Sequence, residues 1–92
     1  MAELIAKVEE LLNKHFPSQS NKFELEETIP GEKIGGSFIT ERFRGVDPVD
    51  RQTAMRRMLR ENLSQDEIIS VGLIWTLTPQ EVARIEEDAV AA

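Results

Sequence analysis

A chain of 92 residues, 40% hydrophobic and 30% charged, suits one soluble domain around one core and is too apolar for a disordered segment. It has no cysteine, which excludes disulfides, thiol catalysis and thiolate metal sites, and fits a reducing, cytoplasmic setting. The net charge of −6 is uneven: residues 1–32 hold three basic and seven acidic groups, residues 33–60 seven and three, and residues 61–92 one and seven. A cationic middle between acidic ends either meets an acidic partner or phosphates, or is neutralised by those ends within the fold. The apolar run from Val71 to Trp75 is too short to cross a bilayer. Glu3 near the start and the lack of a basic-then-apolar layout argue against export.

Residues 2–16 predict an amphipathic helix, with Leu4, Ile5, Val8, Leu11, Leu12 and Phe16 on one stripe and Pro17 as its stop. His15, the single histidine, falls in the last turn, where an imidazolium suits the helix dipole. Phe23, Leu25 and Ile29 alternate with polar residues as in a half-buried strand. Pro30-Gly31 and Gly35-Gly36 read as turn signals with a loop between them. Ser37 to Arg44 reads as a second strand, antiparallel to the first, with Arg42 and Arg44 sharing a face by period two.

Gly45 to Leu63 holds the clearest helix start. Asp47 is placed to cap, Pro48 to occupy the first turn, and Asp50 to meet the dipole. Val49, Met55, Met58, Leu59 and Leu63 form its expected apolar stripe, from which Arg56, Arg57 and Arg60 fall away. Ser64 to Glu67 matches a capping box and predicts a short helix. Ile69 to Leu77 is the most strand-like segment. Its weak alternation predicts burial on both faces, with Trp75 in the core. Thr78-Pro79-Gln80-Glu81 is a second capping box, opening a last helix with a weaker stripe of Val82, Ile85 and Val90 and a chain end expected to fray.

The order is therefore helix, two strands, helix, short helix, strand, helix in a single domain. It predicts an α+β fold with a small three-stranded mixed sheet, a right-handed crossover, and helices packed on one face.

No enzymatic constellation emerges. One histidine cannot build a zinc site or a nucleophile system, and no nucleophile-elbow motif is present. Glu24, Glu26 and Glu27 read as solvated strand carboxylates. Gly31 to Ser37 resembles a phosphate loop superficially, but lacks the motif's lysine and precedes a strand. Lys33 in that loop remains a candidate contact for an acidic group. The main concentration of interest is Arg42, Arg44, Arg51, Arg56, Arg57 and Arg60, whose guanidinium forks suit carboxylate and phosphate alike.

The segment FITERFRGVDPVDRQTAMRRMLRENL followed by VGLIWTLTPQE resembles the BolA family through Phe43, Gly45, Arg51, Thr76, Thr78, Pro79 and Glu81. The resemblance runs from about residue 37 to 82 and implies a small α+β fold similar to type II KH domains. It also implies a monothiol glutaredoxin as protein partner, and a role in iron–sulfur handling, stress-related regulation or transcriptional control. Where the family places a cluster-ligating histidine after the helix-start arginine, this chain has Gln52, and its hairpin loop has neither His nor Cys. No cofactor is therefore expected. The stretch matching the KH Gly-x-x-Gly loop is Ser64-Gln65-Asp66-Glu67, acidic and glycine-free. The reading is a non-enzymatic module that binds a protein through Arg42, Arg44, Arg51, Gln52, Arg56, Arg57, Arg60 and Lys33. Nucleic-acid binding by the same arginines is the alternative, and no membrane association is expected.

Overall fold

The computed structural model describes residues 1–91, with side chains through residue 89; Val90's place in the stripe and the fraying of the chain end lie outside the described side chains. The elements are α1 (Ala2–His15), β1 (Lys22–Ile29), β2 (Lys33–Ile39), a 3-10 turn (Glu41–Phe43), α2 (Pro48–Asn62), α3 (Gln65–Ile69), β3 (Val71–Leu77) and α4 (Pro79–Ala91). The sheet runs β1-β2-β3, antiparallel in the first pair and parallel in the second. This is the mixed three-stranded α+β fold that the order of elements predicts. Among the described residues, no helix is long and apolar enough to cross a membrane.

Period-two alternation sends Phe23, Leu25, Ile34, Phe38 and Ile74 to one face of the sheet, where α1 supplies Val8 and Leu12 and α2 supplies Met55, Met58 and Leu59. Phe38 is fully buried at the centre. It stacks on Phe23 at 5.3 Å and meets Phe43 edge-on at 5.5 Å, while Phe16 closes on Phe43 at 5.5 Å. All four phenylalanines of the chain thus join one cluster, tying α1, both hairpin strands and the 3-10 turn together.

Three local expectations are corrected. Gly35-Gly36 is not a turn. The turn is at Pro30–Glu32, where Glu32 N–H donates to Ile29 O at 2.9 Å, and both glycines lie inside β2. There the pairing with β3 slips between Ile34 and Gly36. Gly36 has φ +136°, and a Cβ on it would stand 1.9 Å from Glu24 O, so the pair serves a bulge rather than a bend. The second strand ends at Ile39, and Thr40 caps the 3-10 turn by accepting from Arg42 N–H at 3.2 Å. Arg42 and Arg44 therefore do not share a strand face. Finally, β3 alternates after all: Ile74 and Thr76 are buried, while Leu73 and Trp75 are 51% and 58% exposed. A sheet covered fully on one face needs only alternate residues of an edge strand inside.

The helix starts follow the sequence. Asp47 accepts from Val49 N–H at 2.9 Å, and Ser64 forms a reciprocal box with Glu67. The Glu67 carboxyl is held below its ordinary range, chiefly by the backbone N–H of Ser64 and then by Lys7, which binds it at 2.9 Å and ties α1 to α3.

Candidate functional site

The arginines of α2 divide by helix phase. At about 100° per residue, Arg51 stands about 40° from Met55, inside the buried stripe, whereas Val49 stands about 240° away. Arg51 is accordingly 5% exposed and Val49 71% exposed. Assigning Arg51 to a binding surface and Val49 to the core is corrected in both cases, and the same spacing that defines the stripe could have shown it.

Arg51 is an internal tie. Its Nε donates to Val46 O at 2.8 Å, and its Nη1 donates to Thr76 O at 3.1 Å and to Glu81 Oε1 at 2.6 Å. The guanidinium carbon lies 5.8 Å from the centre of the Phe43 ring. One side chain thereby joins the turn before α2, the end of β3 and the first turn of α4. Glu81 completes the arrangement through the Thr78 capping box: Thr78 N–H donates to Glu81 Oε1 at 2.8 Å, and Glu81 N–H donates to Thr78 Oγ1 at 3.3 Å. The Arg51 hydrogen bond, helped by Thr78 N–H and opposed by burial, holds the Glu81 carboxyl below its ordinary range.

Gln52 is also committed inward. Its Nε2 donates to Ile74 O at 2.7 Å and to Thr76 Oγ1 at 3.3 Å. Because β3 is an edge strand, the carbonyls of Ile74 and Thr76 would otherwise lie open to a foreign strand. Gln52 and Arg51 occupy them in turn. Sequence reasoning placed both residues at a site but missed this edge-blocking role, since the partners come from over 20 positions away.

The remaining candidates are scattered. Lys33 sits at the start of β2 with its Nζ on Ile69 O. Arg44 pairs with Glu41 at 2.7 Å within the 3-10 turn. Exposed Arg42 reaches Pro17 O at 3.5 Å. Arg44 lines a groove with Arg84 and Glu87 beside the start of α4, apart from the α2 surface. What the fold does bring together is Arg56, Arg57 and Arg60, all exposed, which line a shallow depression with Pro48, Val49, Gln52, Thr53 and a single carboxylate, Glu61. Among the described residues none of these three arginines forms an ion pair. A second depression, sharing Pro48 and Gln52, runs on to Leu73 and Trp75, so exposed apolar surface borders the cations.

The group implied by the BolA resemblance does not fit these residues. The Gln52 amide nitrogen is spent on β3, and an amide is a poor iron ligand in any case. No cluster of three or more His, Asp or Glu side chains suited to a metal occurs among the described residues. Comparison of the chain with family models, with curated proteins and with solved structures finds no match in any of the three.

Proposed function

We propose that this protein is a non-enzymatic binding module whose working surface is the outer side of α2, and that its partner is a protein carrying carboxylates around an apolar anchor. The observation that carries this reading is the set of exposed Arg56, Arg57 and Arg60, which form no ion pair among the described residues, beside exposed Pro48 and Val49. Guanidinium groups at a rim with apolar surface at the centre match the composition of protein interfaces. The BolA resemblance extends the reading to a monothiol glutaredoxin partner and to iron–sulfur or stress-related regulation, without a cluster ligand from this chain.

Nucleic acid binding through the same three arginines is the second reading, since guanidinium serves phosphate equally well. Capture of partners from a cell lysate, with and without nuclease and across a salt series, separates the two. Protein that remains after nuclease, with a shallow salt dependence, supports the first. Loss on nuclease treatment, with a steep logarithmic salt slope, supports the second. Arg56→Glu with Arg60→Glu abolishes capture in either case, and Glu10→Arg on exposed α1 leaves it intact.

A further inference from the structure

The face of the sheet opposite the core is only partly covered. Glu24, Ser37, Ile39, Trp75 and Leu77 point to it, and α4 leaves the end of β3 so that Val82, Ile85 and Glu86 form the other wall of a groove of about 480 Å³. Ile39 is 4% exposed and makes the floor. Trp75 and Ile85, at 58% and 56% exposed, make apolar walls that are more than half open to solvent. Every described residue of α4 from Ala83 onward is exposed, so this amphipathic helix reaches beyond the surface that its own chain offers. Helices of this length are marginal unless their apolar face is packed. Large apolar side chains arranged contiguously around a concave surface are the usual mark of an interaction site.

The rim decides what fits. Glu24 and Glu86 flank the groove, and Glu26 follows Glu24 on the same strand face. Lys22, two residues before Glu24, already lies 3.7 Å from it. A second copy docked face to face would bring these carboxylates against their own counterparts, which opposes isologous pairing. Anionic lipid would meet the same repulsion.

We infer that the groove between β3 and α4 is a second docking site, and that its occupant is a basic amphipathic segment of a partner protein. Leucine-like side chains would enter between Trp75 and Ile85, and lysines or arginines would meet Glu24 and Glu86. This site is opposite in charge to the outer side of α2 and stands independently of the function proposed for that side.

Trp75 is the only tryptophan of the chain and reports directly on the groove. The probe is a synthetic helical peptide of leucine and lysine, about four turns long, titrated while Trp75 emission is followed. Saturable binding with a blue shift is expected, and the matched leucine–glutamate peptide should not bind. Ile85→Asp, and separately Glu24→Lys with Glu86→Lys, should each weaken binding by about tenfold or more, equivalent to about 1.4 kcal/mol. Glu3→Lys with Glu10→Lys, the same charge change on exposed α1, should not. Arg56→Glu with Arg60→Glu should bind the peptide as the parent does. Equal losses in the α1 and rim variants would reduce the effect to net charge and overturn the proposal. So would an emission shift that tracks the protein's own concentration without peptide, which points to a second copy, or one produced equally by phosphatidylcholine–phosphatidylserine vesicles.

Discussion

The inner and outer sides of α2 carry the same side chain under opposite conditions. Arg51 points inward, is almost fully buried, and spends three donors on Val46, Thr76 and Glu81. Arg56, Arg57 and Arg60 point outward, and among the described residues none has a carboxylate partner. A buried charge is tolerated only when paired and hydrogen-bonded, so Arg51 is a structural element. An exposed charge without a partner adds little stability, which leaves the outer three free for recognition. Residue type alone cannot separate these roles; the phase of the helix does.

The largest expected effect is on the inner side. Arg51→Met removes the donor to Val46 O and Thr76 O and leaves Glu81 with Thr78 N–H alone, and should cost about 2–3 kcal/mol in chemical denaturation. That is below the usual 3–5 for a broken buried pair, because Glu81 retains solvent. Thr78→Ala removes the Oγ1 that accepts from Glu81 N–H at the start of α4 and should cost about 0.5–2 kcal/mol. Gln80→Ala, on the same turn but outside the box, should change stability by less than about 0.5 kcal/mol. Equal effects of the two would place the tie elsewhere.

Gln52→Ala sharpens the comparison from the neighbouring position. It frees Ile74 O on the sheet edge and should cost about 1 kcal/mol, with greater self-association on storage as the edge opens. The same variant, mixed with a monothiol glutaredoxin under cluster reconstitution, should give the same visible absorption and circular dichroism as the parent. A spectrum that depends on Gln52 would contradict its structural assignment.

The smallest effect is set by pH. Glu81's folded pKa is depressed, so its contribution is fully present above the unfolded carboxyl value, about 4.3, and is lost as pH falls through the lowered folded value. Denaturation curves should show the parent losing more stability than Glu81→Gln across that acidic window. Parallel losses would mean that Arg51 does not hold this carboxylate.

Much of this architecture was legible in the sequence because its signals are local. The helix caps at Asp47, Ser64 and Thr78 follow from residues within one turn, and the element order follows from periodicity. What was not legible depends on partners distant in the chain. The glycine pair at 35–36 reads as a turn until Glu24 and Leu73 are known to press against it from both neighbouring strands. Trp75 reads as core until β3 is known to be an edge strand with one face open. Arg42 and Arg44 leave the proposed patch because the chain turns at Thr40 rather than continuing as a strand. Of the candidate site, the exposure of Arg56 and Arg60 and the burial of Arg51 were readable from helix spacing, whereas the partners that Arg51 and Gln52 meet on β3 and α4 were not.

The division of α2 into a structural and a recognising side is tested most directly by measuring unfolding free energy and partner capture together in two variants. Arg56→Glu with Arg60→Glu should keep its stability within about 0.5 kcal/mol of the parent and lose capture, whereas Arg51→Met should lose stability first. Retained capture in the Arg56 and Arg60 variant, or a stability loss there as large as that of Arg51→Met, would contradict it.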